Sequence, residues 1–160
     1  MSVNLPVRPR MISAHVQHRV AIVASEYNAE FVQGLVNNAS RELYAIQSSV
    51  ALELFSAPGA FEIPFIAKLV AAKKKHEVII ALGVILRGQT QHADLVATAV
   101  THGLQQVALE SGIPVIHEVL LLDDEKQAKE RCIEQEKNRG VEAARSALQM
   151  AKIVADLQNK

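Results

Sequence analysis

A three-layer α/β/α sandwich wound around a four-stranded parallel sheet is the fold that this sequence predicts. Short apolar runs rich in β-branched residues alternate with one-face helical stripes in the order β-α-β-α-β-α-β-α-α. One of those runs, Val78 to Leu86, is apolar throughout, as befits a central parallel strand covered on both faces. The connections are short, which favours right-handed crossovers between neighbouring strands.

Residues 1–18 carry Pro6, Pro9, Arg8, Arg10, His15 and His18 without periodicity, and read as an arm outside a single domain spanning 19–160. Arg19 to Ala24 is the first strand, and Ser25-Glu26-Tyr27-Asn28 turns it into a helix on which Phe31, Leu35, Ala39 and Leu43 recur every four residues. Val50 to Ser56 is the second strand. Pro58-Gly59 breaks it, and Phe61-Glu62-Ile63-Pro64 opens a helix running to Lys73-Lys74-Lys75, where cations complement the macrodipole. Beyond the central strand, Val96, Val100, Gly103 and Val107 mark one face of a helix that Ser111-Gly112 ends. Pro114 to Leu122 is the fourth strand, with His117 and Glu118 as polar residues in an otherwise apolar run. Asp123-Asp124-Glu125 suits the start of a helix expected to reach about Lys137. Gly140 is expected to separate it from a last helix buried through Ala144, Leu148, Ala151 and Ala155.

With 160 residues, 49% of them hydrophobic, the chain has material for one substantial core. Aromatic residues are only 4%, so Ala, Val, Leu and Ile must build that core. The 17 basic and 17 acidic residues balance, leaving no electrostatic footprint for nucleic acid or an anionic membrane. Without a leader-like start or a membrane-length apolar run, a soluble, cytoplasmic protein is expected. Lone Cys132 reads as a packing residue rather than a nucleophile. Asn38-Ala39-Ser40 matches a glycosylation acceptor in form only, because it lies within a helical pattern. P-loop, GxGxxG, HExxH and CxxC patterns are all missing, so nucleoside triphosphate, dinucleotide and zinc readings have no support.

Ligands of open parallel sheets bind beyond the carboxyl ends of the strands. Three patches fall there: Tyr27-Asn28, Ala57 to Glu62, and Arg87 to His92. In the third, a strand runs through a glycine turn into a helix, so the backbone N–H groups of Gly88, Gln89 and Thr90 can receive a phosphate without a metal. His92, just beyond, can move a proton beside that phosphate, although a histidine in a first helical turn also serves as a solvated or capping residue.

Taken together the patches resemble the 6,7-dimethyl-8-ribityllumazine synthase family, over nearly everything from Arg19 to Ala155. The resemblance is carried by Tyr27-Asn28, by Pro58 to Pro64, and by Leu82-Gly83-Val84-Ile85-Leu86-Arg87-Gly88-x-Thr90-x-His92-x-Asp94. Further along it is carried by Pro114-Val115-Ile116, Glu130-Arg131, and Asn138-Arg139-Gly140-x-Glu142-Ala143-Ala144. It implies a flavodoxin-like fold and the condensation of 5-amino-6-ribitylaminouracil with 3,4-dihydroxy-2-butanone 4-phosphate, without metal or organic cofactor. Position by position, it makes Tyr27 the platform for the pyrimidine ring. Asn28, Ala60, Phe61 and Glu62 become holders of the ribityl chain and heterocycle, and Ile85 and Leu86 line the ring. Phe61, Ile85 and Leu86 are equally explained by packing, and Glu62 by a helix start. Gly88, Gln89 and Thr90 cradle phosphate, Arg131 closes over it, and His92 is the proton shuttle, with Asp94 and Glu142 as residues that orient His92 or Arg131.

The resemblance also implies homopentamers with shared sites, the neighbour contributing His117 and Arg131, an arm that adds a strand to an adjacent sheet, and a place for a riboflavin synthase partner. Departures from the family pattern are specific. His117 stands for a phenylalanine, Glu118 for a glycine, Ala93 for an aromatic, Leu121-Leu122 for a threonine pair, and Arg139 for a lysine that contacts the heterocycle. Cys132 to Lys137 lacks the usual glycines, from which a straighter, helical connection and free or paired pentamers are expected. Two other readings are a pentameric paralogue that binds flavin or lumazine without turnover and a shell-forming scaffold.

Overall fold

The computed structural model describes residues 5–10 and 17–158. His15, and with it most of the stretch joining the arm to the first strand, lies outside the described residues. Four strands, β1 (Arg19–Ser25), β2 (Ala51–Ala57), β3 (Val78–Leu86) and β4 (Val115–Leu122), form one parallel sheet in the order β2-β1-β3-β4. Among the described residues five α-helices accompany it: α1 (Ala29–Ile46), α2 (Ile63–Ala72), α3 (His92–Ser111), α4 (Glu125–Cys132) and α5 (Arg139–Gln158). The expected three-layer, flavodoxin-like sandwich is the observed one.

Strand alternation makes two cores from one sheet. Val20, Ile22 and Ala24 of β1 with Val78, Ile80, Leu82 and Val84 of β3 pack toward α1, α4 and α5. Ala21 and Val23 with Ile79 and Ala81 pack toward α2 and α3. Because both faces of β1 and β3 are covered, their sequences are apolar at every interior position. The helical stripe Phe31, Leu35, Ala39 and Leu43 is buried as its period requires. Gly103 lets α3 approach α2 closely, since a Cβ there would stand 2.9 Å from Pro64 Cβ. Gly112, at φ 71, ends α3 in the left-handed region and donates its N–H to the Ala108 carbonyl at 3.0 Å.

The second half departs from expectation between α4 and α5. Asp124 caps α4 by accepting from the Gln127 N–H at 2.8 Å, but the helix ends at Cys132 rather than near Lys137. Residues 133–138 form a turn, so the connection is not the straight helical one expected. Asn138, fully buried, governs this turn: its Oδ1 accepts from the Gly140 N–H at 2.9 Å while its Nδ2 donates to the Glu134 carbonyl. Nor does Gly140 separate the helices. It lies in the first turn of α5, pressed on the Leu35 carbonyl and the Ala39 N–H of α1.

Smaller differences are of one residue or one turn. β2 begins at Ala51 and extends to Ala57, and Ala60–Glu62 forms a 3-10 turn ahead of α2. Asn38 is buried in α1 with its amide donating to the Gly34 carbonyl, which agrees with dismissing the glycosylation match. Residues of the arm lie on this chain's own α1 and α5. Arg8 forks onto Glu42 at 2.9 and 2.8 Å, and Arg145 joins Glu42 to the Pro6 carbonyl. The Arg8 hydrogen bond leads in holding the Glu42 carboxyl below its usual range.

Candidate active site

The sheet order changes direction between β1 and β3, and a crevice opens there beyond the carboxyl ends of the strands. Asn28 sits at its floor in the left-handed region, at φ 56, where it begins α1 through its carbonyl. Its side chain does not cap the helix. Instead Nδ2 donates to the Val84 carbonyl at 2.7 Å and ties the β1–α1 turn to the end of β3. Beside it, Gly59 leaves room for Tyr27, since a Cβ at that glycine would lie 3.1 Å from the Tyr27 ring. Tyr27 and Phe61 are 72% and 60% exposed, unusual for aromatics with no other work on a surface.

These residues line a cavity of about 720 Å³ together with Ala60, Glu62, Ile85, Leu86 and His92. That volume suits a small organic ligand. Every residue of the Tyr27-Asn28 and Ala60 to Glu62 groups that the sequence singled out reaches it, as do Ile85, Leu86 and His92. His92 opens α3 and is solvent-accessible, its N–H 3.4 Å from Thr90 Oγ1. Gly88, Gln89 and Thr90 form the exposed loop immediately before it, ahead of a helix start that has no side-chain cap. This helix start leaves backbone N–H groups without a side-chain cap from its N-cap residue, apart from the His92 N–H that approaches Thr90.

Arg87 anchors this loop. Its Nη2 donates to Asp94 at 2.7 Å and its Nη1 to Asp123 at 2.6 Å, joining the β3–α3 and β4–α4 turns. The Arg87 hydrogen bond is the leading cause that lowers the Asp94 carboxyl. Within this chain Asp94 pairs with Arg87 and Glu142 with Arg139.

His117, Arg131 and Arg139 do not line the cavity: His117 faces α3 from β4, Arg139 meets Glu118 on the opposite face of the same strand, and Arg131 lies on α4. The Val119 N–H donates to His117 Nδ1 at 3.1 Å, which leaves the proton on Nε2 facing Thr101 Oγ1 at 2.8 Å. Burial lowers the His117 pKa, so the ring is neutral near pH 7. Arg131 is half-buried and forms no hydrogen bond or close ion pair with a carboxylate among the described residues; its neighbour Glu130 is held by Lys137 at 2.5 Å, with the Arg131 charge adding to the pull. Cys132 is fully buried and its thiol is pushed up to about 12, first by burial, which agrees with a packing role. No group of three His, Cys, Asp or Glu side chains suited to a metal occurs among the described residues.

Sequence reasoning missed the α3 wall, formed by Ala93, Leu95, Val96 and Ala99, and also Val84. The steps from His92 to Leu95, Val96 and Ala99 are those of one helix face, and that period was the available signal. It also missed that Glu118 and Arg139 are partners.

A doubly wound α/β domain with an apolar, aromatic-rimmed cavity at its switch point, and a histidine at the head of the adjoining helix, defines a flavodoxin-like domain with a cavity sized for a small organic ligand. A sequence model described as 6,7-dimethyl-8-ribityllumazine synthase matches residues 17–155, and the chain belongs to that family. It is similar to the 6,7-dimethyl-8-ribityllumazine synthase of Leuconostoc mesenteroides, 35% identical over 143 residues that cover 88% of this chain and 91% of the relative. It is likewise similar to the protein of that name from Thermococcus kodakarensis, 35% identical over 142 residues covering 89% and 90%.

Proposed function

We propose that this chain is a cytoplasmic enzyme of riboflavin biosynthesis. It condenses 5-amino-6-ribitylaminouracil with 3,4-dihydroxy-2-butanone 4-phosphate to 6,7-dimethyl-8-ribityllumazine, releasing phosphate and water. The observation that carries the reading is the meeting of Tyr27, Asn28, Ala60 to Glu62, Ile85, Leu86 and His92 in one cavity, within a family match spanning residues 17–155. Tyr27 and Phe61 offer flat apolar faces to the pyrimidine ring, while Asn28 and Glu62 offer polar groups to the ribityl hydroxyls. The loop Gly88 to Thr90 offers N–H groups to the phosphate at the start of α3. His92, beside both, supplies and removes protons as the amine adds to the ketone, water departs and phosphate leaves.

The site is completed in this reading by a second copy. Arg131, with no close ion pair to a carboxylate, is the cation suited to the phosphate, yet like His117 and Arg139 it lies outside the cavity. Copies arranged in a ring bring one chain's β4, α4 and α5 residues to the next chain's cavity, and the homopentamer is the arrangement we propose. The stripe Phe61, Phe65 and Leu69 on the exposed side of α2 and its preceding turn, with Leu95 on α3, supports a buried contact there. Mixing the purified protein with both substrates and following lumazine fluorescence tests the function. A ligand-binding paralogue would bind the product and yield no new fluorescence.

A further inference from the structure

β4 carries a carboxylate in a position otherwise suited to an apolar side chain. Glu118 is 5% exposed, lies opposite Leu82 of β3, and shares a sheet face with Leu120 and Leu122. Its oxygens accept from Arg139 Nε at 3.0 Å and Nη2 at 3.2 Å, the forked geometry that matches guanidinium to carboxylate. The remaining Arg139 Nη1 donates to Glu142, three residues along α5. The Arg139 side chain is 11% exposed. A withdrawn guanidinium thus faces two carboxylates where charge balance calls for one.

The surplus charge is what a low-water setting resists. Burial is the leading cause that pushes the Glu118 carboxyl up to about 7, Arg139 opposes it, and Glu142 adds to the rise. The other titratable group facing Glu118 is Cys132 of α4, whose thiol stays protonated. On β3 the residue opposite is Leu82, which carries no charge.

We infer that Glu118 is a positioning residue: ionised, it pins Arg139 against β4, and protonated, it frees the guanidinium to reach toward a ligand. The inference rests on the proposed function in one respect, that the patch holding Arg139 meets substrate in the assembly. A protonated carboxyl carries no charge and turns one of its two accepting oxygens into an O–H, so its hold on Arg139 weakens while the hydrogen bond to Glu142 stays charge-assisted. Ligand affinity through Arg139 should therefore rise as pH falls through neutrality.

The test is equilibrium binding of 6,7-dimethyl-8-ribityllumazine, read by its own fluorescence at pH 6 and pH 8, for the wild type, Glu118→Gln and Glu142→Gln. The wild type should bind roughly three- to tenfold more tightly at pH 6, the scale of one ordinary net hydrogen bond. Glu118→Gln should bind at both pH values as the wild type does at pH 6. Glu142→Gln should keep the response but move it to lower pH, because a charge that raises Glu118 is gone. A wild-type response surviving in Glu118→Gln would assign it to another group, such as His92, and overturn the inference, as would a wild type without any response. Thermal unfolding is read alongside. An acid raised in the folded state stabilises it most below the unfolded value, and that benefit is lost as pH rises through the folded value. Between pH 5 and 8 the wild-type midpoint should therefore fall relative to that of Glu118→Gln. Should the wild type bind no lumazine, the functional reading falls while this unfolding difference still supports the clamp; parallel unfolding profiles would overturn the clamp itself.

Discussion

Arg131 and His92 divide the proposed chemistry between a charge and a proton. A hydrogen bond to a charged group contributes about 1.5–3 kcal/mol, so Arg131→Ala should raise KM for the butanone phosphate roughly ten- to hundredfold. An unchanged KM would remove Arg131 from phosphate binding. His92→Ala should lower kcat by about 10² to 10⁴-fold yet leave measurable turnover, because holding two reactants in register supplies a large share of the acceleration. Complete loss in a folded variant that still binds lumazine would show that the histidine does more than assist. At this scale the sequence was informative wherever a residue type is tied to a local backbone event. Tyr27, Asn28 and His92 each stand at a strand-to-helix turn, and each reaches the cavity. Glu118 and Arg139 were legible only as oddities, because 21 positions separate partners that the packing of α5 on β4 brings together.

Among the elements, α1 and α5 approach most tightly at Gly140, where an added methyl would meet the Leu35 carbonyl and stand 3.1 Å from the Ala39 nitrogen. Neither is a flexible side-chain tip. Gly140→Ala should cost about 1–3 kcal/mol by forcing the helices apart, lowering the unfolding midpoint by about 2–4 °C per kcal/mol. A midpoint equal to that of the wild type would mean that the contact yields freely. The same glycine shows why the end of α4 was misread. Cys132 to Lys137 contains no glycine or proline, and intrinsic propensity extends the helix. Buried Asn138 instead draws the chain into a turn by bonding both Gly140 and Glu134, a tertiary preference that overrides a weak local one.

For the whole molecule, the proposal that two copies share each site makes complementation the sharpest measurement. If one copy supplies the cavity and its neighbour supplies Arg131, then His92→Ala and Arg131→Ala chains assembled together should regain activity, since some junctions pair an intact His92 with an intact Arg131. Activity no higher than the mean of the separate variants would place the whole site in one chain. Light scattering should show at least five copies, with an active monomer as the result that ends the shared-site reading. The turn at residues 133–138 removes the straight connection from which small assemblies were expected, so whether pentamers close into a shell is a matter for the same measurement.

What this sequence determined by itself was the order and kind of its elements and the end of the sheet where the cavity opens. Periodicity and turn chemistry are local, and an all-apolar Val78 to Leu86 can be stable only between two layers. Tertiary structure alone decided the α3 wall of the cavity, the turn at Asn138, and the pairing of Asp94 with Arg87 and of Glu118 with Arg139. Those features depend on side chains far apart in sequence meeting where water is scarce. There, burial and charge balance outweigh the preferences that any single stretch of chain expresses.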